Sequence, residues 1–509
     1  MANRPTIMGT RHVIAAGHYL AAHAGFQILE AGGNAVDAGV ASGIAMGVLQ
    51  TDKVSFGGVA PLIVYLAKKK EIHCIDGLGV WPKMITPDFF QKFHGGKIPA
   101  NELRSIVPAA PDSWLTALER FGTMSFGEVA AAAIRFASEG FPMYPLMAEF
   151  IHQNQSSYER YPASRKIFLP RGKPPVPGEL FVQADLGRTL QYMADVEKAN
   201  RRKGRRLALR AARDAFYKGD IAAAIVRHHK RVGGLMRMED FAEFSVKFEP
   251  TVKAKFNGIE VHACGPWSQG PVLPMALNIL KNDNLQALGH NSPEYIHVVT
   301  EALKLAFADR HQHFGDPDFI KVPIKGLMSD KYAEHRRGMI AADHASPGMP
   351  PAGDPATLAD LPHRWMTPAQ PEDAPGPGDT TYTCCIDRHG NAFSATPSDG
   401  SNNSPVIPGV GLVCSGRGTQ SWADPTHPCS VAPGKRPRLT PNPALAFKNG
   451  KVLMPFGTPG GDVQPQAMLQ VFLNVNAFGM DAQAAIEAPR FNTSPVAAGI
   501  RPSRYRRPG

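Results

Sequence analysis

The chain has 509 residues, 43% hydrophobic and 19% charged, which suits a large folded core and excludes a disordered polymer. Its formal charge is +11, but the excess sits largely in NRRKGRRLALRAARDAF (200–216) and in the tail RPSRYRRPG (501–509). Neither carries the interleaved aromatics of a nucleic-acid surface, so no nucleic-acid partner is expected, although the overall field favours acidic small molecules.

In chain order, HYLAAHAGFQILEAGG reads as a helix that stops at Gly32-Gly33. Asn34, with Asp37 three residues on, caps a second helix, AVDAGVASGIAMGVLQ, whose Ala and Gly content implies close packing on another layer. PLIVYLA and EIHCIDGLGV follow as strands. From 108 to 340 the pattern is mainly helical: SWLTALERFG, SFGEVAAAAIRFASEG, DIAAAIVRHHK and SPEYIHVVTEALKLAFADRHQHFG, with a strand, IEVHACGP, among them. The basic run at 200–216 reads as a solvated helix start, with Leu207, Leu209, Ala212 and Phe216 on its apolar side. Residues 341–379 are dense in Pro, Gly and Asp and read as a linker or tail. After Thr380, YTCCID, NAFSATP, GLVCSG, ALAFKNG and KVLMPFG read as strands joined by turns. PQAMLQVFLNVNAFG is a final helix before DAQAAIEAPRF.

No run of about 18 apolar residues and no charged-then-apolar leader occurs, so neither a membrane span nor export is expected. The six cysteines (Cys74, Cys264, Cys384, Cys385, Cys414, Cys429) are scattered and read as free thiols, which places the protein in the cytoplasm. His311–His313 and His228-His229 lack acidic or cysteine partners in sequence and read as surface histidines. No metal or cofactor is expected, and no phosphate-loop pattern occurs.

The junction PGPGDTTYTCCID places Asp379-Thr380-Thr381 between a breaker-rich segment and a strand. A threonine hydroxyl is a weak nucleophile without a base. Cutting the chain before Thr380 supplies one, because the freed α-amine has a pKa near 7.7–8.0 in peptides. A strand merely starting with β-branched residues is the alternative reading.

The ordered segments LEAGGNAVDAGVASGIAMGVL, AFYKGDIAAAIV, GGLMRMEDFAEF, GPWSQG, GDTTYTCCIDRHGNAFSAT, PGKRP, FGTPGGDVQPQAMLQVFLN and EAPRF resemble the γ-glutamyltransferase family of N-terminal-nucleophile hydrolases, from about residue 8 to Phe491. The resemblance implies an α+β fold, a four-layer αββα sandwich. It implies self-cleavage between Asp379 and Thr380 into a large chain (1–379) and a small chain (380–509) that stay together as a heterodimer. It makes Thr380 the nucleophile, Ser398 a hydroxyl partner where the family has a second Thr, and Gly460-Gly461 the oxyanion donors. The implied substrate is a small amide or γ-glutamyl compound.

Several positions depart from the family pattern. Leu78 stands where the family has an Arg that grips the glutamyl α-carboxylate, and no aliphatic chain replaces that bidentate fork. Gly400 replaces an Asn, Leu439-Thr440 replace two serines, and SGRGTQSW (415–422) replaces an asparagine-and-acid stretch. These resemble the oxamate amidohydrolase and cephalosporin acylase branch. Arg417 or Arg436 is expected to compensate if a carboxylate is bound. Three readings stay open: an amidohydrolase or acylase, a strict γ-glutamyl transferase, and an unprocessed inactive relative. The Arg- and Pro-rich end stands where relatives continue with strands, so a shortened small chain is expected.

Overall fold

The computed structural model describes residues 2–362, 380–402 and 404–493. It begins with β1 (Val13–Ala16), α1 (Tyr19–Glu30), α2 (Ala35–Leu49), β2 (Leu62–Leu66) and β3 (Glu71–Ile75). Helices α3 (Ala110–Phe121), α4 (Phe126–Glu139), α5 (Ala184–Asn200), α6 (Arg205–Tyr217) and α7 (Asp220–Val232) follow, then β4 (Phe248–Glu249), β5 (Val252–Phe256), β6 (Ile259–Ala263), α8 (Val272–Leu280) and α9 (Pro293–His313). The part after 380 contributes β7 (Thr383–Ile386), β8 (Ala392–Ala395), β9 (Ala444–Lys448), β10 (Lys451–Phe456) and α10 (Val463–Asn476).

Among the described residues, six strands form one sheet in the order β1-β7-β8-β2-β3-β4, and four form a second in the order β10-β9-β6-β5. The period-2 alternation of each strand decides which layer a residue joins. Ile63 and Tyr65 of β2, Ala392 of β8, and Leu445 and Phe447 of β9 meet in a core between the sheets, where the Tyr65 and Phe447 rings lie 5.0 Å apart. Leu62, Val64, Phe393 and Ala395 face the other way, into the core shared with α1 to α4. Ala444 and Ala446 do the same on the second sheet, joining α8, α9 and α10. Three apolar cores between four layers make the αββα sandwich.

Helix α2 is buried along its whole length, and Asn34 and Asp37 form a reciprocal capping box at its start. Its small residues are required: a Cβ on Gly39 would lie 2.1 Å from the Phe393 ring. Strands from both sides of residue 380 share both sheets. A cut before 380 therefore would not separate two folding units.

Two expectations are corrected. GLVCSG is not a strand: Ser55 Oγ donates to the Val413 carbonyl (2.8 Å) and accepts from its N–H (3.2 Å), so a side chain takes the groups a ladder would use. His228 and His229 are buried rather than at the surface. His228 Nε2 lies 3.7 Å from Glu102, and burial lowers the His229 pKa to about 4. Among the described residues there is no cluster suited to a metal, and no helix is long and apolar enough to cross a membrane. All six cysteines are free, and Cys384 alone is only partly buried.

Candidate active site

Thr380 lies just ahead of β7, an internal strand held between β1 and β8. It is 4% exposed and bridges Ser398 in antiparallel fashion. The two hydroxyl oxygens are 2.7 Å apart. Ser398 is fixed in turn by its N–H, which donates to the Val59 carbonyl (3.0 Å), while the Thr381 N–H donates to Pro397 (3.1 Å). The placement of the first predicted pair thus comes from backbone pairing on both sides. Asp379 lies outside the described residues.

Arg417 donates to Ser398 Oγ, and its Nε lies 3.2 Å from Asp399. Asp399 adopts φ +89°, an uncommon conformation for a residue with a side chain and one that collects at functional sites. Of the two candidate arginines, Arg417 is therefore the one beside Ser398. Arg436 is committed elsewhere, to Asp76 (2.8 Å), Glu249 (2.6 Å) and Asp316 (2.7 Å). Leu78 is 1% exposed and packs in the inter-sheet core with Trp81 and Ile106. It fills space and offers no polar group. Leu439 is likewise buried in that core, whereas the Thr440 hydroxyl accepts from Gln420 Nε2 (2.7 Å).

Gly460 and Gly461 lead directly into α10, with φ of +124° and +56°, values that glycine adopts without Cβ strain. Their N–H groups have no acceptor among the described residues, and they sit at the positive end of a helix. The loop is braced by residues that sequence reading passed over. Gln269 Nε2 donates to the carbonyls of Gly461 (2.7 Å) and Thr440 (2.8 Å). Gln269 Oε1 accepts from Arg310 (2.8 Å), and Arg310 also grips Asp462 in two contacts of 2.5 and 3.1 Å. Gln269 belongs to GPWSQG, a segment singled out by resemblance without a role for its amide.

A cavity of about 500 Å³ is lined by Thr380, Thr381 and Gly460 together with Gln50, Asp52, Lys53 and Tyr144. Asp52 is 1% exposed, and neither carboxylate oxygen has a hydrogen-bond partner among the described residues. Burial pushes its pKa up to about 6, with the neighbouring Lys53 acting the other way. No sequence signal marked Asp52, because nothing local distinguishes TDK from a surface turn.

A threonine hydroxyl at a strand mouth, glycine N–H groups at a helix start and an αββα sandwich make the fold of an N-terminal-nucleophile hydrolase. A model for gamma-glutamyltranspeptidase matches residues 21–501, and the chain belongs to that family. It is 32% identical over 488 residues to the glutathione hydrolase-like YwrD proenzyme of Bacillus subtilis (strain 168), covering 96% of this chain and 86% of that one. It is 31% identical over 496 residues to the acylase ACY 1 proenzyme of Pseudomonas sp. (strain SE83), covering 95% and 82%. The structure of cephalosporin acylase from Bacillus halodurans superposes with a TM-score of 0.82 at 28% identity, covering 96% and 85%.

Proposed function

We propose that this chain is a self-processing enzyme that cleaves or transfers amide-linked acyl groups, with Thr380 as nucleophile. The observation that carries this is the 2.7 Å contact between the Thr380 and Ser398 hydroxyls at a cavity that Gly460 shares. In processing, Thr380 Oγ attacks the Asp379 carbonyl carbon and the Asp379–Thr380 C–N bond breaks. Water then hydrolyses the resulting ester, releasing the Asp379 carboxylate and the Thr380 α-amine. The large and small chains remain interleaved in both sheets.

In turnover the α-amine takes the Thr380 hydroxyl proton as Oγ attacks the substrate carbonyl. The N–H groups of Gly460 and Gly461 receive the developing oxyanion. The proton passes to the departing amine, and water or another amine then releases the acyl ester. Arg417 occupies a lone pair of Ser398, which leaves the Ser398 proton available to Thr380 Oγ. The six free thiols support action in a reducing compartment, and the cytoplasm is the proposed location.

The acylase reading is favoured over strict γ-glutamyl transfer because Leu78 is sealed in the inter-sheet core and Arg436 is held by four carboxylates, those of Asp76, Glu249, Asp316 and Asp318. The test is side-by-side kcat/KM for simple acyl anilides and γ-glutamyl-p-nitroanilide. A clear preference for the γ-glutamyl compound would return the protein to the transferase reading.

A further inference from the structure

The cavity that opens on Thr380 contains one acid, Asp52, just beyond the end of α2. Its carboxylate is almost wholly removed from water, yet neither oxygen accepts a hydrogen bond among the described residues. Lys53 Nζ stands 3.6 Å from one oxygen, beyond hydrogen-bond reach, and rests 3.3 Å from the centre of the Phe150 ring. Buried carboxylates ordinarily accept several hydrogen bonds. One kept without them on the wall of a reaction cavity is a group whose partner arrives with the substrate.

We propose that Asp52 is a specificity-determining residue that receives a primary ammonium group on a substrate bound in the cavity it shares with Thr380. This rests on the nucleophile reading above only for the cavity's being the substrate cavity. An ammonium offers three donors and a full charge to two oxygens that accept no hydrogen bond among the described residues and have only Lys53 at 3.6 Å, so it offsets the desolvation that a neutral hydroxyl or methyl group leaves uncompensated. The raised pKa of Asp52 agrees with that unmet demand. The ionisable groups facing it are Lys53, Tyr144 and Tyr158; burial first, and then the Asp52 charge, keep the two tyrosine hydroxyls protonated. His18, whose ring lies tilted 4.9 Å from that of Tyr144, titrates lower, near 4, because it is buried.

The experiment is titration calorimetry on the purified full chain with two matched pairs of amides. 5-Aminopentanamide against hexanamide places the ammonium on the acyl side. N-(4-aminobutyl)acetamide against N-pentylacetamide places it on the amine side. In at least one pair the ammonium compound binds at least about tenfold tighter at pH 7, the scale of one charge-assisted hydrogen bond. That advantage drops below about twofold in Asp52→Asn. It also fades in the unmodified protein between pH 7 and pH 5, a window in which neither His18 nor the Thr380 amine changes its charge appreciably. An advantage in neither pair overturns the proposal, as does one that survives Asp52→Asn. If the variant does not fold, an advantage unchanged from pH 7 to pH 5 overturns it. Because the readout is binding, failure of turnover would count against the Thr380 mechanism and leave this result standing.

Discussion

Replacing Asp52 by Asn should stabilise the protein at alkaline pH and leave it unchanged in acid. The carboxyl is taken from 3.8 in its ordinary state to about 6 by burial. A raised acid binds its proton more tightly folded than unfolded. The ionised form therefore penalises folding fully above about pH 6, and the penalty disappears as pH falls below the unfolded value near 4. A shift of about 2 pH units at about 1.4 kcal/mol each gives a penalty of about 3 kcal/mol at pH 8. Asn keeps the shape and removes the charge, so the urea midpoint of Asp52→Asn should exceed that of the unmodified chain at pH 8. The two midpoints should converge at pH 4. Comparing the two proteins at each pH cancels every other titrating group. A variant equally destabilised at both pH values would show that the carboxylate is held by interactions stronger than its desolvation, and the account of Asp52 would fail.

The other predictions concern the nucleophile's surroundings. Gly461→Val forces a β-branched residue to φ +56°, and kcat should fall on the order of 10²–10³-fold, the scale for one oxyanion donor. Full activity in the processed variant would remove Gly461 from that role. Arg417→Lys keeps the charge but cannot span Ser398 and Asp399 with one planar fork; kcat/KM should drop roughly tenfold to a hundredfold, and an unchanged value would make Arg417 purely structural. Ser398→Ala should slow processing and turnover together, whereas Ser398→Thr, which restores the hydroxyl, should retain both. Time courses on denaturing gels and steady-state rates check the pair.

What the sequence disclosed follows how locally each feature is written. The capping box of α2 is three residues long, and the alternation of β2, β8 and β9 needs only a strand's length, so both were readable. The strand after Thr380 was readable because breaker residues stop where β-branched ones begin, whereas the role given to Thr380 came from the resemblance and not from the junction. GLVCSG has strand composition, but the serine that captures its backbone lies some 360 residues earlier. His228 and His229 looked polar and exposed, while the helix that carries them turns both inward, towards Glu102. Arg417 and Arg436 were equivalent as sequence. Only folding brings one to Ser398 and delivers the other to Asp76, Glu249 and Asp316. Gln269, Arg310 and Asp462 come from three distant segments and meet only at the Gly460-Gly461 loop.

The most direct test of the central claim is the intact mass of the purified protein, with N-terminal sequencing of the smaller component. The account predicts two chains, the smaller beginning Thr-Thr-Tyr, and a single uncut chain for Thr380→Ala. An unmodified protein that stays whole, or a Thr380→Ala variant still cut at the same bond, would contradict it.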